Sequence, residues 1–290
     1  MRSLLFVPAD SERKLEKALA SGADCVILDC EDSVRPEAKS KAREQAAAFL
    51  AAALTQSTHP RLYVRINGLR SGLTSADLDA VMPSRPDGIV LPKCLNGASL
   101  QHLGAMLAVK EAEHDLTDGA TRIMAIVTET PASIFDMRTY AFAGSRLEAL
   151  TWGAEDLAAR LGAESNREAD GLYTFPYALA RSLTLFAAAS AGVLAIDAVY
   201  ANFRDLSALR CESESAKRDG FTGKMAIHPA QIPVINEIFT PSQDSIAKAR
   251  AIVAAFEAAP LAGVIGFEGE MLDLPHLERA RRLLAGIRQP

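Results

Sequence analysis

The sequence predicts an α/β fold of the (β/α)8 TIM-barrel type, with a small C-terminal helical extension acting as a lid. Three observations carry that prediction. Short apolar runs of β type alternate with amphipathic helical runs eight times along the first four-fifths of the chain. No antiparallel hairpin signal interrupts them, and no G-x-G-x-x-G follows the first strand, which argues against an open dinucleotide-binding sheet. Several runs break off into a charged residue at their C-terminal end, the end where a barrel carries its chemistry.

Residues 3–7 are an apolar run stopped by Pro8, and Asp10 or Ser11 is placed to cap the helix that Gly22 ends. Cys25-Val-Ile-Leu28 is a second strand leading into Asp29-Cys-Glu-Asp32, with a helix after Pro36 that carries Ala42, Ala46, Phe49 and Leu50 at helical spacing. Further strands are expected at 62–66, 88–91 (ending in Pro92-Lys93), 122–128, 147–152, 195–199 and 223–227. Helices are expected at 76–81, 98–114, after Pro131, near Ala154, at 175–191 and at 206–219. The polar stretch 161–172, with two glycines, reads as a loop bordering the site. Beyond Ile232 the pattern changes to a helix at 242–259, a glycine-containing segment at 263–270 and a basic terminal helix at 277–287. The expected division is therefore a catalytic barrel at 1–231 and an extension at 232–290.

At 290 residues and 49% hydrophobic content the chain can bury a large core. A net charge of -5, with both signs mixed and no basic stripe, argues against nucleic-acid binding. The four cysteines have neither C-x-x-C spacing nor a nearby histidine pattern, so they read as thiols rather than zinc ligands. No apolar run approaches the roughly 20 residues needed to span a bilayer, and the N-terminus has no signal-peptide pattern. A cytoplasmic enzyme is expected.

Leu150-Thr-Trp-Gly-Ala-Glu-Asp-Leu157 and Ile126-Val-Thr-Glu-Thr-Pro131 are two β runs that each leave into a carboxylate and then a helix. On one parallel sheet, Glu129 and Asp156 exit at the same edge and are the expected ligands of one Mg²⁺, a hard cation that takes carboxylate oxygens (Mn²⁺ is the substitute). Asp29, Glu31 and Asp32 are expected to hold water around that metal. Arg65 lies inside a strand and needs an anion, which is a substrate carboxylate, an enolate oxygen or a permanent carboxylate partner. Lys93, crowded by carboxylates, is expected to stay protonated and contact substrate rather than form a Schiff base. His228 before Pro229 is either a base or a turn residue, and Asp197 either a capping group or a support for the metal site.

Together these residues resemble the citrate lyase β-subunit-like group of the HpcH/HpaI aldolase superfamily, relatives of malyl-CoA and citramalyl-CoA lyases. The likeness runs through Leu4-Leu-Phe-Val-Pro8, Val26-Ile-Leu-Asp-Cys-Glu-Asp-Ser33, Val64-Arg-Ile-Asn67, Leu91-Pro-Lys93, Glu129-Thr130, Trp152-Gly-Ala-Glu-Asp-Leu157, Ile227-His-Pro229 and Glu268-Gly-Glu-Met-Leu-Asp273. The resemblance implies Mg²⁺ on Glu129 and Asp156, Arg65 and Pro8 toward the substrate, and Asp273 as the acid/base. It also implies a C-terminal segment closing over a neighbouring subunit's site in a homotrimer or dimer of trimers. The activity implied is a reversible Claisen-type cleavage of a 3-hydroxyacyl-CoA into an acyl-CoA and a 2-oxo acid. The rival expectations are a citrate lyase β subunit acting on an acyl-carrier-protein thioester, a metal-dependent pyruvate aldolase on free acids, and a non-catalytic acyl-CoA binder.

Overall fold

The computed structural model describes residues 1–286, and the chain divides into two compact units, Met1–Phe239 and the residues from Thr240 onward. The first unit is a closed barrel of eight parallel strands in chain order: β1 (Ser3–Pro8), β2 (Cys25–Asp29), β3 (Arg61–Arg65), β4 (Gly88–Leu91), β5 (Arg122–Ile126), β6 (Leu147–Thr151), β7 (Leu194–Asp197) and β8 (Gly223–Ala226). Between them run α1 (Glu12–Leu19), α2 (Lys39–Ala53), α3 (Thr74–Val81), α4 (Gly97–Glu113), α5 (Pro131–Phe135), α6 (Ala154–Leu161), α7 (Phe175–Ala191) and α8 (Leu206–Asp219), and α9 (Ile232–Phe239) follows β8. The expected barrel is present, and α7 and α8 have the expected limits.

Strand periodicity builds two apolar layers. Leu4, Ile27, Tyr63, Val90, Met124, Ala149, Ile196 and Met225 cluster inside the barrel. Their neighbours Leu5, Val26, Leu28, Val64, Ile89, Leu91, Leu150 and Ala195 join the larger layer under the helices. Arg65 shares Tyr63's side of β3, so its guanidinium leaves the strand toward the barrel axis. Parallel register then puts Pro8, Asp29 and Arg65 on one rung, which brings the ends of the first three strands together without any loop being asked to do it.

The expected boundary at 231/232 lies eight residues short of the observed one, because α9 belongs to the barrel unit. Its Ile232, Ile235, Ile238 and Phe239 are buried in the layer beneath the helices. The second unit has the expected helix at each end, with a strand hairpin in the glycine-containing segment between them. It contains α10 (Gln243–Glu257), an antiparallel hairpin of β9 (Val264–Phe267) and β10 (Glu270–Asp273), and α11 (Leu274–Ala285). The hairpin turn is Glu268-Gly269, both at positive φ. A single turn glycine among mixed residues gives little hairpin signal in sequence. Its core is Ala249, Ile252, Phe256, Leu272, Leu277 and Ala280. Ile287, expected to end the last helix, lies outside the described residues.

The close approach of β3 to β4 fixes one glycine. A Cβ at Gly88 would stand 2.2 Å from Tyr63 Cε1 and 2.8 Å from the Arg122 carbonyl oxygen. Gly104, inside α4, has nothing nearer than 3.6 Å. Gly88→Ala is therefore expected to lower stability by about 1–3 kcal/mol through overpacking, whereas Gly104→Ala should be neutral or stabilising by up to about 1 kcal/mol through helix propensity. Urea unfolding of the two variants beside the parent checks both signs.

Candidate active site

The strand ends of the barrel unit frame a cleft of about 680 Å³, its open mouth included, lined among others by Phe6, Arg65, Glu129, Trp152, Asp156 and Arg167. Glu129 and Asp156, expected as a pair from two equivalent strand–helix junctions, both face this one space. Glu129 is 2% exposed, while Asp156 is part-exposed at the start of α6. Gly153, between β6 and α6, lets the chain pass close to Glu129: a Cβ there would lie 3.0 Å from Glu129 Cγ.

Arg65 donates from Nε to Asp29 Oδ1 at 2.7 Å and from Nη2 to Asp29 Oδ2 at 2.5 Å, a two-pronged pair. Its Nη1 lies 3.2 Å from Glu31 Oε2, and its guanidinium sits 4.9 Å above the Phe6 ring. Of the three partners expected for Arg65, the permanent carboxylate is the one the structure contains, and the guanidinium still lines the cleft. Burial alone would push the Asp29 carboxyl up, but the bonds from Arg65 outweigh it and hold the group below its ordinary range.

Lys93 has a positive φ of 51°, an uncommon conformation for a residue with a side chain. In that conformation its amide N–H donates to Glu129 Oε2 while its ammonium pairs with Glu31, with Asp32 at 2.7 Å and with Asp156 at 3.6 Å. Burial works against the ammonium, yet hydrogen bonds to Asp32 and Glu31 raise its pKa, so Lys93 stays charged and is no Schiff-base nucleophile. Lys39 Nζ donates to the Cys30 and Glu31 carbonyls and braces the loop that carries these acids. Pro8 ends β1 two residues beyond Phe6 and does not line the cleft.

Five carboxylates, Asp29, Glu31, Asp32, Glu129 and Asp156, thus share two cationic side chains. The shortfall falls on Glu129. Burial first, and the charge of Asp156 second, push its carboxyl up to about 8. Glu31 is also raised, by burial against the pull of Arg65 and Lys93, and its Oε2 is buried without a hydrogen bond. A dication with oxygen preference fits this set: two carboxylates open to one space, one of them desolvated and held by a single backbone amide. No cluster of three or more metal-ligating side chains occurs among the described residues, so any cation here would complete its shell with water or substrate oxygens.

Two other candidates are engaged by neighbouring residues away from the cleft lining. Asp197 is fully buried and accepts from Trp152 Nε1 at 2.9 Å, Arg181 Nε at 3.0 Å and Lys224 Nζ at 2.7 Å. Despite burial, the charges of Lys224 and Arg181 keep it below the usual carboxylate range. His228 begins the turn before α9: its Nδ1 accepts from the Ala230 amide at 3.1 Å and its ring stacks on Phe203 at 4.6 Å. Asp273 belongs to the second unit, where it precedes α11 with its Oδ1 2.5 Å from His276 Nδ1; that contact holds its carboxyl below the ordinary range. Sequence reasoning missed Arg167, Tyr173, Glu212 and Lys224. The lone lysine in the strand Gly-Lys-Met-Ala was the available signal, since a buried ammonium demands carboxylate partners.

The model of the family described as HpcH/HpaI aldolase/citrate lyase matches residues 2–229. The chain is 33% identical over 294 residues to the mitochondrial citramalyl-CoA lyase of Rattus norvegicus, covering 98% of this chain and 85% of that one. It is 34% identical over 286 residues to a (3S)-malyl-CoA thioesterase of Cereibacter sphaeroides, covering 98% and 93%. Among solved structures, protein CitE of Mycobacterium tuberculosis in complex with magnesium, acetoacetate and coenzyme A is similar with a TM-score of 0.78 and 32% identity, covering 98% of this chain and 97% of that one.

Because Glu129 must lose a proton to bind a cation, Mg²⁺ binding at pH 7 is expected to release about one proton. Affinity should rise with pH toward about 8, the Glu129 value, and level off above it. Calorimetric titrations in two buffers of different ionisation enthalpy measure the proton count; a count of zero at pH 7 would remove the competition.

Proposed function

The chain belongs to the HpcH/HpaI aldolase/citrate lyase family, and from that premise we propose that it is a Mg²⁺-dependent carbon–carbon lyase acting on a 3-hydroxyacyl-CoA thioester. The substrate class is that of malyl-CoA and citramalyl-CoA, cleaved reversibly into an acyl-CoA and a 2-oxo acid. The observation that carries this reading is the meeting of Glu129, Asp156 and Arg65 at one cleft on the strand ends. Glu129 and Asp156 hold the metal, and Asp29, Glu31 and Asp32 hold the water and the cationic side chains around it. When bound, Mg²⁺ supplies the Lewis acidity that makes a substrate hydroxyl easier to deprotonate.

Arg65 has the task of stabilising charge. As the carbon–carbon bond breaks, its electron pair moves onto the thioester carbon framework as an enolate, and a guanidinium clamped by Asp29 meets that oxygen with no reorganisation of its own. In cleavage the hydroxyl proton leaves to solvent and Asp273, protonated, delivers its proton to the enolate carbon; in condensation the ionised Asp273 takes a proton from that carbon. The His276 contact favours its ionised form, which is the form that condensation starts from. The reading includes the C-terminal unit as a lid, a homotrimer or dimer of trimers, and a cytoplasmic location in keeping with four free cysteines. Among the described residues no helix is long and apolar enough to cross a membrane.

A free-acid aldolase would turn to a histidine base, and His228 has Nδ1 engaged in the turn and does not line the cleft. The deciding measurement is Mg²⁺-dependent release of a 2-oxo acid from a panel of hydroxyacyl-CoA thioesters. Glu129→Ala and Asp156→Ala are expected to abolish both turnover and Mg²⁺ binding. Asp273→Ala should lose at least about 100-fold in kcat, the scale of a general acid/base, with Mg²⁺ binding intact. Full activity in either metal-site variant would refute the ligand assignment, and full activity in Asp273→Ala would refute the proton donor.

A further inference from the structure

A carboxyl group that exchanges a proton with carbon needs a fixed direction as well as a suitable charge. For Asp273 the packing of the second unit does not supply that direction, since its side chain is 43% exposed. His276, in the first turn of α11, does: its Nδ1 lies 2.5 Å from Asp273 Oδ1. The backbones of both residues are pinned. Leu272 and Leu277, their neighbours along the chain, are buried in the core of the unit, and Pro275 fixes the helix start between them. No other charged side chain bonds either residue among the described residues.

The two residues also close a capping box at the start of α11, in which the Asp273 amide points at His276 Nδ1 from 3.3 Å. One ring nitrogen cannot accept from that amide and donate to the carboxylate with the same site. The contact to the ionised carboxylate is shorter and charge-assisted, so it sets the tautomer: Nδ1 carries the proton and donates to Oδ1. A cap by itself asks only for an acceptor here, and glutamate or glutamine is the usual residue. Histidine adds a donor aimed at one carboxyl oxygen.

We infer that His276 is a positioning residue for the proton transfer: its Nδ1–H holds Asp273 Oδ1, so that Oδ2 is the oxygen that exchanges a proton with carbon. The inference rests on the lyase reading and on Asp273 as its acid/base. In cleavage the Oδ2–H bond breaks and the enolate electron pair takes the proton into a new C–H bond. In condensation Oδ2 takes a proton from that carbon, and the imidazole keeps its own proton throughout. A carboxyl group free to turn about Cβ–Cγ presents the reacting oxygen only part of the time, and such loss of alignment costs rate rather than affinity.

Glutamate at position 276 keeps the acceptor that the cap needs and removes the donor, whereas glutamine keeps both. His276→Glu is expected to lower kcat for thioester cleavage at least about 10-fold, the scale of a hydrogen bond to a charged group, with the melting temperature unchanged. KM should stay within about 2-fold, because no ground-state contact to substrate is lost. His276→Gln should keep kcat within about 3-fold, its amide donor replacing that of the ring. In an Asp273→Ala background His276→Glu should cost nothing further, since His276 acts through that carboxyl group. Parental kcat in His276→Glu, equal losses in the two variants, or additive losses in the double variant would overturn the positioning role and leave the lyase reading in place. Nitrogen-edited NMR of the imidazole reads the pairing without turnover: a protonated Nδ1 on His276 is expected in the parent, and an unprotonated one would overturn the inference. A protonated Nδ1 in a parent that cleaves no thioester would sink the lyase reading, and with it this task for His276.

Discussion

The constraint on which the site depends is a shortage of positive charge at the mouth of the barrel. Five carboxylates converge there on Arg65 and Lys93, and the two cations are engaged chiefly with Asp29, Glu31 and Asp32, with Asp156 3.6 Å from Lys93. What remains is Glu129, desolvated and facing Asp156. A buried carboxyl left without a counter-charge keeps its proton. The protein therefore stores, at one point, an unmet demand for a cation, and it does so with rigid parts: strand ends in fixed register, a bidentate Arg65–Asp29 pair, and a Lys93 backbone turned to positive φ.

The same economy of charge is applied differently outside the barrel. Asp197 and Lys224 point away from the axis, into the layer between strands and helices, where Arg181, Glu212 and Trp152 complete them. There the charges are matched nearly one for one, as buried ion pairs must be. That network has a positional effect on the cleft, since Glu212 holds Arg167 and Trp152 forms part of the wall. Compensation beneath the helices thus holds part of the cleft wall, where Arg167 and Arg65 line the same space.

The second unit follows a separate logic. Its core of Ile252, Phe256, Leu272 and Leu277 is small, and the hairpin supplies Leu272 to it while presenting Asp273 at the start of α11. The start of α11 and the His276 contact hold this aspartate, with its carboxyl below the ordinary range.

The sequence by itself determined the barrel, because apolar runs alternating with helical runs allow few other closed layers, and it placed Glu129, Asp156 and Arg65 at strand ends or just beyond them, from which all three reach one cleft. It also marked the polar loop beside the site without revealing its arginine. Tertiary structure alone decided the rest. That Arg65 is clamped by Asp29, that Asp197 and His228 serve packing and a turn, that α9 belongs to the barrel, and that Arg167, Glu212 and Lys224 form one chain of charge all depend on contacts between residues far apart in sequence. Such contacts are set by register and by the rotation of helices around the barrel, and no local pattern of residues encodes them.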